Sequence, residues 1–67
     1  MARKKTSYID AQGNKQIGYI IDGTTYTDEA GTTPVGVGSV VEAGGQQWVK
    51  GVGENGQSML YSDYLKQ

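Results

Sequence analysis

Three dipeptides, Asp22-Gly23, Gly44-Gly45 and Asn55-Gly56, are the strongest local signals in the chain. Each suits a two-residue hairpin turn of type I′. Such turns need positive φ at both central residues, which Gly, Asn and Asp tolerate. Ala11-Gln12-Gly13-Asn14 offers a fourth, looser hairpin. The runs between these turns are rich in β-branched and aromatic residues, as strands prefer. The expected strands are residues 6–10, 15–22, 24–28, 37–43 and 46–52, with 57–61 a candidate sixth. Residues 29–36 make the longest loop, where Pro34, lacking an N–H, marks an edge or a loop.

Period-two alternation sorts the strand faces. It puts Ile17, Tyr19 and Ile21 on one face and Gly18 and Ile20 on the other. Val37, Ser39 and Val41 likewise share a face opposite Val40, and Trp48 shares one with Val52. Gly51 and Gly53 are expected at bulges or bends. At the C-terminus the period changes. Leu60, Tyr61, Tyr64 and Leu65 form a helical stripe, with Ser62 as cap and the Tyr64–Leu65 face docked on the sheet. Ile20–Tyr26 and Val40–Trp48 echo each other as β-branched pair, acid, glycine turn and aromatic, which is the shared grammar of two hairpins. The expected fold is all-β: a small antiparallel meander or SH3-like barrel of five to six short strands with a short C-terminal helical turn. Residues 6–67 would form the single domain, behind a flexible basic tail over residues 1–5.

A chain of 67 residues buries only about 60% of the surface its unfolded form exposes, so its core is thin. It has no Cys and no His. That removes disulfides, thiolate and imidazole metal sites, and His-based acid–base or nucleophilic catalysis. The carboxylates Asp10, Asp22, Asp28, Glu29 and Glu54 sit in or beside turns, where such groups cap backbone N–H donors. Asp28-Glu29, the adjacent pair, lacks the ligand spacing of a calcium loop. Gly51-Val52-Gly53-Glu54-Asn55-Gly56 matches G-x-G-x-x-G. However, the βαβ unit that gives that motif its meaning has no room in the residues that follow. Neither an enzymatic activity nor a cofactor is expected.

The net charge of −1 hides an asymmetry. Residues 1–15 carry Arg3, Lys4, Lys5 and Lys15 against Asp10, a sum of +3; residues 16–67 carry Lys50 and Lys66 against Asp22, Asp28, Glu29, Glu42, Glu54 and Asp63, a sum of −4. An acidic body repels phosphate, so nucleic acid ranks low as a partner and would have to use the tail residues Arg3, Lys4 and Lys5. Polar residues interrupt the segment after that basic head. Neither a secretory signal nor a membrane span is expected, and synthesis is expected to be cytoplasmic.

The aromatics are the candidate binding residues. Tyr19 and Trp48, among Ile and Val, are expected in the core, although Trp48 also ranks as a contact residue. Tyr8 and Tyr26, flanked by Thr, Ser and Asp, are expected in an exposed patch. Tyr61 and Tyr64 could serve either role. Exposed tyrosines suit protein interfaces, and a coplanar row through Tyr8, Tyr26 and Tyr61 would suit sugar rings. Alternating basic and aromatic residues on a sheet would suit single-stranded nucleic acid, but only Lys15 and Lys50 interleave with aromatics, which ranks that reading last.

The stretch Tyr26-Thr27-Asp28, Pro34-Val35-Gly36-Val37-Gly38-Ser39-Val40-Val41 and Gly44-Gly45-Gln46-Gln47-Trp48-Val49-Lys50 resembles short β-modules of bacteriophage and prophage accessory proteins. Its hairpin is also similar to small chitin- and cellulose-type binding modules, although most of their further aromatics are missing here. The resemblance implies a virion-associated, phage-encoded accessory role and assigns no functional residue. The primary expectation is a non-catalytic protein–protein or structural module that assembles with itself or with a larger particle. A carbohydrate-binding module and weak nucleic-acid binding through the tail are the alternatives.

Overall fold

The computed structural model describes residues 2–67. Six antiparallel strands form a curled half-barrel, followed by one short C-terminal helical turn. The strands are β1 (Arg3–Ile9), β2 (Lys15–Ile21), β3 (Thr24–Tyr26), β4 (Val40–Ala43), β5 (Gln46–Val49) and β6 (Met59–Leu60); the helix is α1 (Tyr61–Tyr64). The sheet order is β3-β2-β1-β4-β5-β6. Two three-stranded meanders are thus joined edge to edge, and one residue pair, Ile9 with Val40, links β1 to β4.

The turn chemistry explains the hairpins. Asp22 and Gly23 (φ 50° and 80°) connect the paired residues Ile21 and Thr24. Gly44 and Gly45 (φ 62° and 77°) do the same between Ala43 and Gln46. Both are two-residue turns with positive φ at each centre, which matches the twist of the strands they join. Asn55-Gly56 also forms a positive-φ turn, but it closes Gly53 onto Gln57 at 2.7 Å instead of joining β5 directly to β6.

The long connection is stitched rather than loose. The Thr27 N–H donates to the Thr33 carbonyl, and the Val35 N–H donates to the Thr25 carbonyl at 3.1 Å. Pro34 bridges to Tyr26 on the outer edge of β3, a position that asks no N–H of it. The connection ends in a bulge. Gly38, at φ 93°, donates its N–H to the Lys50 carbonyl, while the Lys50 N–H donates to the Ser39 carbonyl. Two residues thus oppose one, with glycine in the left-handed place that such a bulge requires.

Several expected boundaries move, each for a local reason. The first strand begins at Arg3, not Thr6, because the seven residues of β2 draw Arg3, Lys4 and Lys5 into register with Ile21, Ile20 and Tyr19. The basic cluster therefore belongs to the sheet and not to a free tail; Met1 lies outside the described residues. The fourth strand starts at Val40, since the Gly38 bulge breaks the ladder, and Val37 is left 66% exposed. The fifth stops at Val49, where Gly51 (φ 75°) turns the chain away. The third ends at Tyr26, because Asp28 is committed to the loop. Helix α1 starts at Tyr61, two residues before the start that a Ser62 cap would set, and no side chain caps it. Its Tyr64–Leu65 end stays exposed instead of docking; Leu60 and Tyr61 are the half-buried residues. The sheet also stays open where a closed barrel was one expectation.

The buried apolar side chains are Tyr8, Ile21, Val35 and Val49, joined by Thr25 and Ser39. Tyr19 and Trp48, expected in the core, are only half-buried. Tyr8, expected on the surface, is 8% exposed. The cause lies on the neighbouring strand. Gly18 has no side chain, and the Tyr8 ring fills the space where its Cβ would stand, 2.9 Å from Tyr8 Cδ1. A glycine inside a strand thus makes the seat for a cross-strand aromatic ring.

Candidate interaction surface

The register of β1, β2 and β3 assigns their two faces, because directly opposed residues of an antiparallel pair share a face. Lys5 opposes Tyr19, and Tyr19 opposes Tyr26. The three form one row across the strands. Arg3 with Ile21 and Ser7 with Ile17 flank that row on the same side, and Ile9 with Lys15 ends it. The other side carries Tyr8, Thr6, Gly18, Ile20 and Thr25, three of them buried. It is the inner side of the half-barrel. Lys4, opposite Ile20, belongs to that inner side. Neighbours in sequence, Lys4 and Lys5 therefore project in opposite directions.

The outer face is chemically mixed. Arg3, Lys5 and Lys15 are exposed, Ile17 is 54% exposed, and Tyr19 and Tyr26 are half-buried. No Asp or Glu occurs anywhere in β1, β2 or β3. Asp22 and Asp28 lie beyond the strand ends, in the turn and the long loop. Gly31 of that loop stands against Ile21 and beside the Tyr26 ring, so the loop covers the Ile21 end and one side of Tyr26, and Arg3 shares a hollow there with Asp22.

The predicted binding residues do not form one patch. Tyr8 is inside, Tyr26 is on the outer face, and Tyr61 and Tyr64 are in α1. The coplanar row expected of a sugar platform is thus broken by the burial of Tyr8. Trp48 lies in β5 opposite Val41 and Leu60, and its indole Nε1 donates to the Ala43 carbonyl at 3.1 Å. That bond ties the ring to its own hairpin. The outer-face residues that the sequence reading placed in no exposed patch are Tyr19 and Ile17. Folding the chain about Gln12-Gly13, with Ile9 against Lys15, would have set Lys5 against Tyr19.

A cleft of about 170 Å³ opens between the two meanders. Thr24, Thr25 and Val35 line one wall, and Val41, Glu42 and Lys50 the other. The Lys50 Nζ crosses the gap and donates to the Val35 carbonyl at 2.7 Å.

Comparison with protein-family models, with curated proteins and with solved structures finds no match.

Two of the acids are committed to their loops. The Asp10 carboxylate accepts the Asn14 N–H at 2.8 Å, the Gln16 amide at 3.1 Å and the Gln12 N–H at 3.0 Å. These bonds, the Asn14 one foremost, hold its carboxyl below the ordinary 3.8. Asp28 accepts the Thr32 hydroxyl, the Thr33 N–H and the Thr32 N–H. Its carboxyl is lowered too, mainly by that hydroxyl. Both acids serve as loop staples, in the way turn acids satisfy backbone donors. Among the described residues no group of three or more Asp and Glu side chains converges, and no helix is long and apolar enough to cross a membrane.

Proposed function

We propose that this chain is a non-catalytic structural or protein–protein interaction module whose fold is completed by assembly, with itself or with a larger particle. The observation that carries the reading is the imbalance between its core and its surface. Among the described residues four apolar side chains are buried, while Ile17, Val37 and Leu65 are each more than half exposed. The accessible surface of 4589 Å² exceeds by roughly a tenth the value of about 4100 Å² typical of a compact monomer of this mass. Burial of those side chains against a partner supplies stability that the monomer lacks, by mass action. The absence of His and Cys and the commitment of Asp10 and Asp28 to their loops support a role without chemistry. A virion-associated, phage-encoded role is the form of assembly implied by the resemblance of Tyr26–Lys50 to phage β-modules.

Light scattering coupled to size exclusion, with thermal unfolding over a hundredfold range of protein concentration, tests the reading. The expected result is a mass that rises above the monomer and a midpoint that climbs with concentration. A monomer throughout, with a constant midpoint and no protein recovered by pull-down, would remove it.

A further inference from the structure

We infer that the outer face of β1, β2 and β3 is a platform for single-stranded nucleic acid, centred on the row Lys5–Tyr19–Tyr26 and flanked by Arg3. This inference does not depend on the assembly reading. It rests on where the register places the charges. The three strands hold four cations and no carboxylate, although the chain as a whole is acidic. Three of those cations, Arg3, Lys5 and Lys15, share the face that carries two directly opposed tyrosines. Adjacent members of the row stand about 5 Å apart across the strands.

That combination selects its ligand. An anionic backbone is drawn to Arg3 and Lys5, and flat unpaired bases lie on the tyrosine rings. A duplex keeps its bases stacked within itself and offers the rings nothing to contact. An acidic peptide would satisfy the cations but brings no flat π surface for Tyr19 and Tyr26. Single-stranded nucleic acid uses both halves of the face. The acidic loops at its margin, with Asp22 and Asp28, limit the charged footprint to the strands and predict a site of a few nucleotides. Lys4 projects to the other side and takes no part.

The sequence neighbours Lys4 and Lys5 make the test sharp, because Lys4→Gln and Lys5→Gln change the net charge equally. Binding of fluorescein-labelled oligothymidylate and oligouridylate is followed by anisotropy at a series of salt concentrations. A labelled oligoglutamate peptide of matching charge is titrated alongside, and circular dichroism verifies each variant's fold. The expected result is salt-sensitive binding to the oligonucleotides. Lys5→Gln weakens it several-fold and flattens the logarithmic salt slope by about 0.7, while Lys4→Gln leaves both at wild-type values. Tyr26→Phe, which keeps the ring, binds as wild type; Tyr26→Ser loses about tenfold. Equal losses in Lys4→Gln and Lys5→Gln would reduce the effect to diffuse charge and overturn the platform. So would oligoglutamate binding as tightly as the oligonucleotides, or no binding at low salt.

Discussion

The Lys50 ammonium donates to the Val35 carbonyl across the mouth of the half-barrel, 2.7 Å away. The two residues belong to different halves of the sheet: Val35 is laid along the edge of β3, and Lys50 follows β5. A charged donor on a carbonyl stabilises by about 1.5–3 kcal/mol when both are shielded from water. Lys50 is only half-buried, so the lower end of that range applies. Lys50→Met keeps most of the stem and deletes the charge. It should cost about 1–2 kcal/mol in urea unfolding, with Lys50→Arg closer to wild type. A variant as stable as the parent would show that the clasp contributes nothing.

The seat under Tyr8 gives a second prediction. A Cβ at position 18 would stand 2.8 Å from the Tyr26 carbonyl oxygen and 2.9 Å from Tyr8 Cδ1. Backbone cannot yield cheaply there, so Gly18→Ala should destabilise by about 1–3 kcal/mol. Gly36 is the control. It has open space around it and no positive φ, and Gly36→Ala should stay within about 0.5 kcal/mol of the parent. Thermal unfolding of the two variants side by side settles the comparison.

Acid should weaken the fold through Asp10 and Asp28. Both carboxyls titrate below 3.8 in the folded chain, so in the acid range the unfolded chain binds more protons. Stability then rises with pH in that range. The contribution is complete above the unfolded value and is lost as the pH falls through the lower folded values. Midpoints measured from pH 7 down to pH 2 should therefore hold steady and then drop below about pH 4. Asp28→Asn should unfold at a lower midpoint at neutral pH and show a shallower acid drop. An unchanged acid profile in that variant would mean the Thr32 and Thr33 contacts have no energetic weight.

Hydrogen exchange should divide the molecule. β1 and β2 pair over seven residues, whereas β6 has two and α1 a single turn. Amides of Thr6–Ile9 and Ile17–Ile21 engaged in that ladder should exchange slowest, and those of Met59–Tyr64 first, because short peripheral elements open at low cost. Uniform protection across both groups would contradict this ordering.

Much of the fold is legible in the turns. Asp22-Gly23 and Gly44-Gly45 specify their hairpins by local φ preference alone, and the strands on either side follow. The ends of those strands were harder to read, because they depend on partners elsewhere in the chain. Arg3–Lys5 looks like a solvated tail until seven residues of β2 are laid against it. Val37 reads as strand until Gly38 is seen to donate to Lys50, far along the chain. Tyr8 illustrates the same limit. Its polar neighbours suggest the surface, and only the missing side chain at Gly18, one strand away, pulls it inside. The outer face was invisible for a related reason: Lys5, Tyr19 and Tyr26 are remote in sequence and meet only through cross-strand register.

The single stitch between Ile9 and Val40 has a mechanical consequence. With one ladder pair at this waist of the sheet, the angle between the meanders also rests on the Lys50–Val35 clasp. The angle at that waist sets the width of the mouth that Lys50 spans, so whatever widens or narrows the mouth also re-aims one meander against the other.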